Sequence, residues 1–166
     1  MSNWPHQSKV DEFYGDPRDD DGGSSAQWEK ENIVYVNPPW KLVTAWDGRS
    51  VTKGVRVHRK CAESLKKVFD SIWTAAGKNE HKIREWGMHL YGGGHSFRLM
   101  KGGTRLSMHS YGCAVDFDPA RNGFGDTTPN FENYPDVLDA FEKEGWTWGG
   151  NWKKPDGMHW QAARIK

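Results

Sequence analysis

The sequence predicts an α+β fold, a small antiparallel sheet flanked by helices, and three observations carry that reading. Residues 58–76 place Leu65, Val68, Phe69, Ile72 and Trp73 at helical spacing on one face, with Lys60, Glu63, Lys66, Lys67 and Asp70 mostly elsewhere. A shorter helix opens near Asn133-Tyr134-Pro135-Asp136. Between and after the helices lie several short β-prone runs joined by turns. At 166 residues the chain can bury one core but not two.

In chain order, the first 30 or so residues are polar and turn-rich. Residues 15–25, rich in Gly and Asp, read as a solvated loop, because their acidic groups lack EF-hand spacing. Residues 33–36 form a short β-prone run that stops at Pro38-Pro39. The helix over 58–76 ends at Gly77. Residues 86–91 read as a strand leading into Gly92-Gly93-Gly94, and 112–117, 146–148 and 158–162 as three more. In the second helix Asn133 is the expected cap, Pro135 lies in the first turn, Leu138 and Phe141 face the core and Gly145 is the stop. Residues 1–55 are expected to be an extension packed on or appended to a core spanning 56–166.

Composition excludes several functions. With 23 basic and 22 acidic residues the net charge is +1, which argues against a nucleic-acid binder that relies on phosphate neutralisation. Two cysteines are too few for a disulfide scaffold: Cys113 reads as a small buried hydrophobe and Cys61 opens the long helix. No stretch approaches the roughly 18 apolar residues that a membrane span needs. The first residues lack a basic start followed by an apolar run, so synthesis in a cytoplasm without a signal peptide is expected. A monomer is expected. Ten Trp and 19 Gly fit many turns and an aromatic-walled groove.

Two segments carry potential chemistry, residues 107–116 and 156–160. They supply His109, Asp116 and His159, a typical ligand set for a catalytic zinc with one position open to water. On a strand, Asp116 shares a face with Gly112 and Ala114, while Cys113, Val115 and Phe117 face the core. The two small residues are expected to leave space beside Asp116. A lone carboxylate among Ala, Val and Phe costs free energy unless its charge is compensated, and zinc would compensate it. Asp156, three residues before His159, is a spare carboxylate placed to act on water. His6, His58, His81 and His89 read as ordinary surface or core histidines.

The pattern Ser107-x-His109-x-x-Gly112-x-Ala114-x-Asp116, followed by Trp148-Gly149-Gly150-x-Trp152 and Asp156-x-x-His159, resembles the LAS zinc metallopeptidases. These are the lysostaphin-type, D-Ala-D-Ala and Hedgehog-related proteins. More narrowly it resembles the peptidase M15 family, which includes D-alanyl-D-alanine carboxypeptidases and phage L-alanyl-D-glutamate endolysins. The resemblance runs from about Trp86 to Gln161 and implies a LAS/Hedgehog-type peptidase core. It implies that His109, Asp116 and His159 bind Zn2+, that Asp156 is the general base, and that an upstream Arg holds substrate. Arg98 fits that Arg better than Arg105, because it follows the Gly-rich turn. Ser107, His95, Trp148 and Trp152 are candidates for substrate contact or support of the site, and Trp160 for a cleft wall. Gly157 is expected to allow the turn that brings Asp156 to the site.

The function implied is a zinc-dependent peptidoglycan peptidase acting on the stem peptide, in first place a phage or prophage endolysin cutting L-alanyl-D-glutamate. Such an enzyme reaches the wall or periplasm through a holin lesion. The alternatives are a D-alanyl-D-alanine carboxypeptidase or dipeptidase, a non-catalytic zinc module, and a virion-associated protein using the same domain for local wall digestion.

Overall fold

The computed structural model describes residues 3–166. The polar N-terminal stretch holds two helices, α1 (Val10–Tyr14) and α2 (Ala26–Asn32), where composition indicated only turns. Ser25 accounts for the second: its Oγ accepts the Trp28 N–H at 3.1 Å. The sequence signal is incomplete, because the acid of a capping box falls one residue late, at Glu29. Tyr14 ties this region to the opposite end of the chain. Its hydroxyl donates to the Ala162 carbonyl at 2.7 Å, and its own carbonyl accepts from Trp28 Nε1 at 3.1 Å.

Strand β1 (Ile33–Val36) forms where expected and is followed by β2 (Val43–Thr44) and β3 (Val55–His58). β1 and β3 pair antiparallel. The central helix α3 (Arg59–Ala75) begins at His58, whose Nδ1 accepts the Lys60 N–H at 3.1 Å. Cys61, Leu65, Val68, Phe69 and Ile72 are buried along one face, and Gly77, at φ +67°, ends the run. Trp4, Val10, Tyr14, Trp40 and Leu42 share this cluster with Leu65, Phe69 and Phe117, so the first 55 residues contribute to the same core.

The chain then departs from the expected strand at 86–91. Trp86 is the last residue of a helix, α4 (Glu80–Trp86), and the strand β4 (Leu90–Gly93) starts four residues later. Asn79 caps this helix through Oδ1, accepting from His81 and Lys82, and Gly87 closes it at φ +82°. Ile83 and Trp86, three residues apart, are its buried face. The apolar–small alternation beginning at Trp86 imitates a strand, and the two caps override it.

The remaining elements are β5 (Ala114–Phe117), α5 (Pro135–Lys143), β6 (Thr147–Trp148) and β7 (His159–Gln161). The five-stranded sheet runs β2-β4-β5-β7-β6. It is antiparallel except at the edge, where β2 pairs parallel with β4. In α5, Pro135 is the first residue as expected, but Asn133 is not the cap. Asn133 ends a separate 3-10 turn, Asn130–Asn133, and Tyr134 precedes the helix without a side-chain cap bond. Val137, Ala140 and Phe141 are buried and Leu138 half-buried, and α5 packs on α3.

Candidate metal centre and its cleft

The pleat of β5 sends Val115 and Phe117 into the core and Asp116 to the opposite face. In the antiparallel register Asp116 stands directly across from His159 of β7. Trp160, next along, points the other way and stacks on Phe141 with centroids 4.3 Å apart. Trp160 is therefore core material and not a cleft wall. His109 arrives from the 3-10 turn Met108–Tyr111, whose first N–H groups are capped by Ser107 Oγ accepting from the His109 N–H at 3.2 Å.

The space beside Asp116 is not where the sequence placed it. Ala114 is fully buried. A Cβ on Gly112 would lie 2.7 Å from the His58 nitrogen, so Gly112 serves close contact with β3. The opening lies on β4 instead: Gly93 pairs with Asp116, and a Cβ there would meet nothing within 4 Å.

Hydrogen bonds fix the tautomers of both imidazoles. His109 Nδ1 sits 2.8 Å from the Gly94 carbonyl, an acceptor only, so Nδ1 carries the proton. Nε2 is then a bare lone pair, 3.2 Å from Asp116 Oδ2 and without a hydrogen-bond partner among the described residues. His159 Nε2 lies 2.9 Å from Gln161 Oε1, and the Gln161 amide nitrogen donates to the Ala163 carbonyl at 3.2 Å. Nε2 of His159 is thus the donor, and its bare Nδ1 faces Asp116 Oδ1 at 3.1 Å. Two imidazole lone pairs and a carboxylate converge with ligand atoms all within 4.8 Å of one another, in a largely buried place. Such a set of acceptors is unstable without a shared cation or protons. Its chemistry, two nitrogens and one carboxylate, fits zinc.

The same convergence shows in the proton affinities. Burial alone would raise the Asp116 carboxyl, but the facing His109 and His159 outweigh it and hold Asp116 well below the usual carboxylate range. Burial alone would lower the proton affinity of His159, yet the facing Asp116 carboxylate raises it.

Asp156 stands outside the three. Its Oδ2 is 3.9 Å from His159 Nδ1, and its N–H donates to the Gly149 carbonyl at 2.8 Å. Burial raises this carboxyl, and the attraction of His159 only partly offsets the rise. Two glycines let the turn carrying Asp156 pack closely. A Cβ on Gly149 would lie 2.5 Å from the Asp156 carbonyl oxygen, and one on Gly157 2.4 Å from Pro129 Cβ. Gly157 does not have a positive φ, so its role is this close approach and not the turn freedom that its sequence position implied.

The triad borders a cleft of about 550 Å³ and, on its other side, a smaller cavity of about 300 Å³. Arg98 is exposed and lines both, with its N–H donating to Ser110 Oγ at 3.0 Å. Arg105 lies on the same hairpin but on neither wall. Ser107 and Trp152 line the cleft, the Trp152 ring 5.5 Å from that of His159. His95 is buried on the side of the smaller cavity, tilted over Trp28, with Nδ1 3.8 Å from Glu29. Trp148 lines neither cavity; its Nε1 donates to the Gly157 carbonyl at 2.8 Å and braces the Asp156 turn. Sequence reasoning missed Gln161 and Ser110. Gln161 had a signal: it lies two residues after His159 on a strand, hence on the same face. Ser110 had none, because its contact is with a hairpin twelve residues away.

Residues 101–162 match the family model described as D-alanyl-D-alanine carboxypeptidase, of the peptidase M15 family. Over this segment the chain is similar to M15-family peptidases. The matched segment contains His109, Asp116, Asp156 and His159, and begins after Arg98. No curated protein and no solved structure matches the chain. The match supports a peptidoglycan-related peptidase of a metalloenzyme family. No helix among the described residues is long and apolar enough to cross a membrane.

Proposed function

We propose that the protein is a zinc-dependent peptidoglycan endopeptidase, a phage or prophage endolysin that cuts the stem peptide between L-alanine and D-glutamate. The observation that carries this reading is the convergence of two bare imidazole nitrogens on Asp116, with Asp156 beside them and cavities on both sides. An endopeptidase needs room for chain on each side of the scissile bond.

His109 Nε2, Asp116 and His159 Nδ1 would hold zinc, which when bound polarises the scissile carbonyl and acidifies the attacking water. The half-buried Asp156 carboxylate accepts the proton of that water and delivers it to the leaving amine. Its raised proton affinity favours the first of these transfers. Arg98, exposed at the junction of the cavities, holds the carbonyl oxygen or a substrate carboxylate by charge-assisted hydrogen bonds. Trp152 shields the site from bulk water on the cleft side. Gln161 and the Gly94 carbonyl keep the imidazoles oriented. Residues 56–166 form the catalytic core on this reading, with 1–55 packed on it as an extension. The enzyme acts as a monomer and reaches the wall through a holin lesion.

The family description favours a second reading, removal of a terminal D-alanine. Mass spectrometry of peptidoglycan digested by the zinc-loaded protein, with a chelated control, separates the two. New D-glutamate amino termini establish the endopeptidase; released D-alanine establishes the carboxypeptidase. No product at full metal occupancy contradicts both.

A further inference from the structure

The cleft carries more positive charge than its chemistry uses. Its wall includes Arg98, Lys101, Lys153 and Lys154, and its only acids are Asp116 and Asp156. None of the four cations makes an ion pair among the described residues. This imbalance arises on a chain whose net charge is only +1.

Two of these lysines are gathered at one point. Lys101 Nζ lies 5.0 Å from the centroid of the Phe124 ring and Lys154 Nζ 4.8 Å from it. They come from different segments. Lys101 sits at the tip of the hairpin closed by Leu99 and Leu106, and Lys154 on the turn before Asp156. Phe124 comes from a third segment, which bridges to Asp156 and whose Gly125 N–H donates to the Pro155 carbonyl at 2.7 Å. The ring is exposed, so its quadrupole compensates two like charges in water only in part. A ligand anion would complete the compensation.

The geometry points to a recognition element in which Lys101 and Lys154, gathered over Phe124, bind a free carboxylate of the substrate peptide away from the scissile bond. This rests on the peptidase reading above and adds to it a preference for acidic peptides. The backbone pairing of Phe124 with Asp156 sets the anion's position relative to the base, so the element selects substrate and fixes its register together. In the stem peptide the carboxylate could belong to glutamate, to diaminopimelate or to the C-terminus.

The test is calorimetric titration of zinc-loaded Asp156→Asn protein, which binds without turnover, with a diaminopimelate-type stem tetrapeptide. Three further forms carry a single amide, at the glutamate, at the diaminopimelate or at the C-terminus. One of the three amides should weaken binding about tenfold, and naming that amide names the carboxylate. Lys101→Gln with Lys154→Gln should weaken the free peptide about as much and become indifferent to that amide. Lys101→Gln alone, at an exposed hairpin tip, gives a smaller change of the same kind and guards against misfolding of the double variant. Unchanged binding in the double variant overturns the proposal. So does an equal loss for the free and amidated forms, or no binding of any peptide by the parent. Cleavage by the wild-type protein is followed in parallel. Discrimination without cleavage keeps the subsite and removes the peptidase reading; cleavage without discrimination does the reverse.

Discussion

Gln161 is the residue whose role most depends on seeing the hydrogen bonds. Its Oε1 fixes which nitrogen of His159 is bare, and its amide is itself anchored at the Ala163 carbonyl. Gln161→Ala frees the imidazole to turn, and should weaken zinc affinity by about 10–100-fold with little change in fold. Competition against a chelator of known affinity measures it; unchanged affinity would show that the strand alone holds His159. Among single residues the sequence was most readable where chemistry and spacing coincide. His109, Asp116 and His159 stood out because two nitrogens and one carboxylate in two short segments are rarely neutral. Ser110 did not, since nothing local distinguishes a serine that clamps a distant hairpin. Trp148 braces the Asp156 turn and Trp160, expected as a cleft wall, is core, because a Trp in a strand does not reveal which face is covered.

At the scale of elements, the turn carrying Asp156 is held by contact and not by backbone freedom. A methyl group on Gly157 would meet Pro129 Cβ at 2.4 Å and Cγ at 3.1 Å, both in a stiff ring. Gly157→Ala should cost about 1–3 kcal/mol of stability. That corresponds to a melting-temperature drop of about 3 °C per kcal/mol for a chain of this size. It should also lower turnover by displacing Asp156. An unaltered melting temperature with full activity would contradict this account of the turn. The long helix was legible because its periodicity is unbroken, and β1 because its four residues are all β-prone and end before Pro38-Pro39. α4 was not, since its two caps compete with an alternating run that begins at its last residue. α2 was hidden by a capping box one residue out of step, and the two-residue β2 is too short to carry a period.

Stability of the whole molecule should depend on pH through His58, far from the cleft in sequence and wholly buried. Its Nδ1 accepts the Lys60 N–H, and its Nε2 donates to the Tyr14 carbonyl at 2.9 Å, so the folded state needs the neutral ring. Burial, helped by Arg59 and Lys60 and partly opposed by the Tyr14 carbonyl, lowers its pKa to about 4. Unfolded histidine titrates near 6.5, so the unfolded chain binds more protons between these values and stability falls as pH drops from about 6.5 towards 4. The contribution is at most about 3 kcal/mol and is fully present above the unfolded pKa. Urea unfolding across this range should show a steeper loss for the wild-type protein than for His58→Gln. Parallel curves would remove His58 as the cause. The α+β class was readable at this scale, whereas the parallel edge strand β2 was not, because pairing direction is set by a connection through α3 and α4 that no local pattern records.

On the proposed reading the labour is divided: His109, Asp116 and His159 hold the metal and Asp156 moves the proton. Zinc content and peptidoglycan turnover measured together on purified Asp156→Ala and His159→Ala proteins test it most directly. Asp156→Ala should keep stoichiometric zinc and lose turnover, by about a thousandfold or more. His159→Ala should lose both. Full turnover in Asp156→Ala, or full zinc occupancy in His159→Ala, would contradict it.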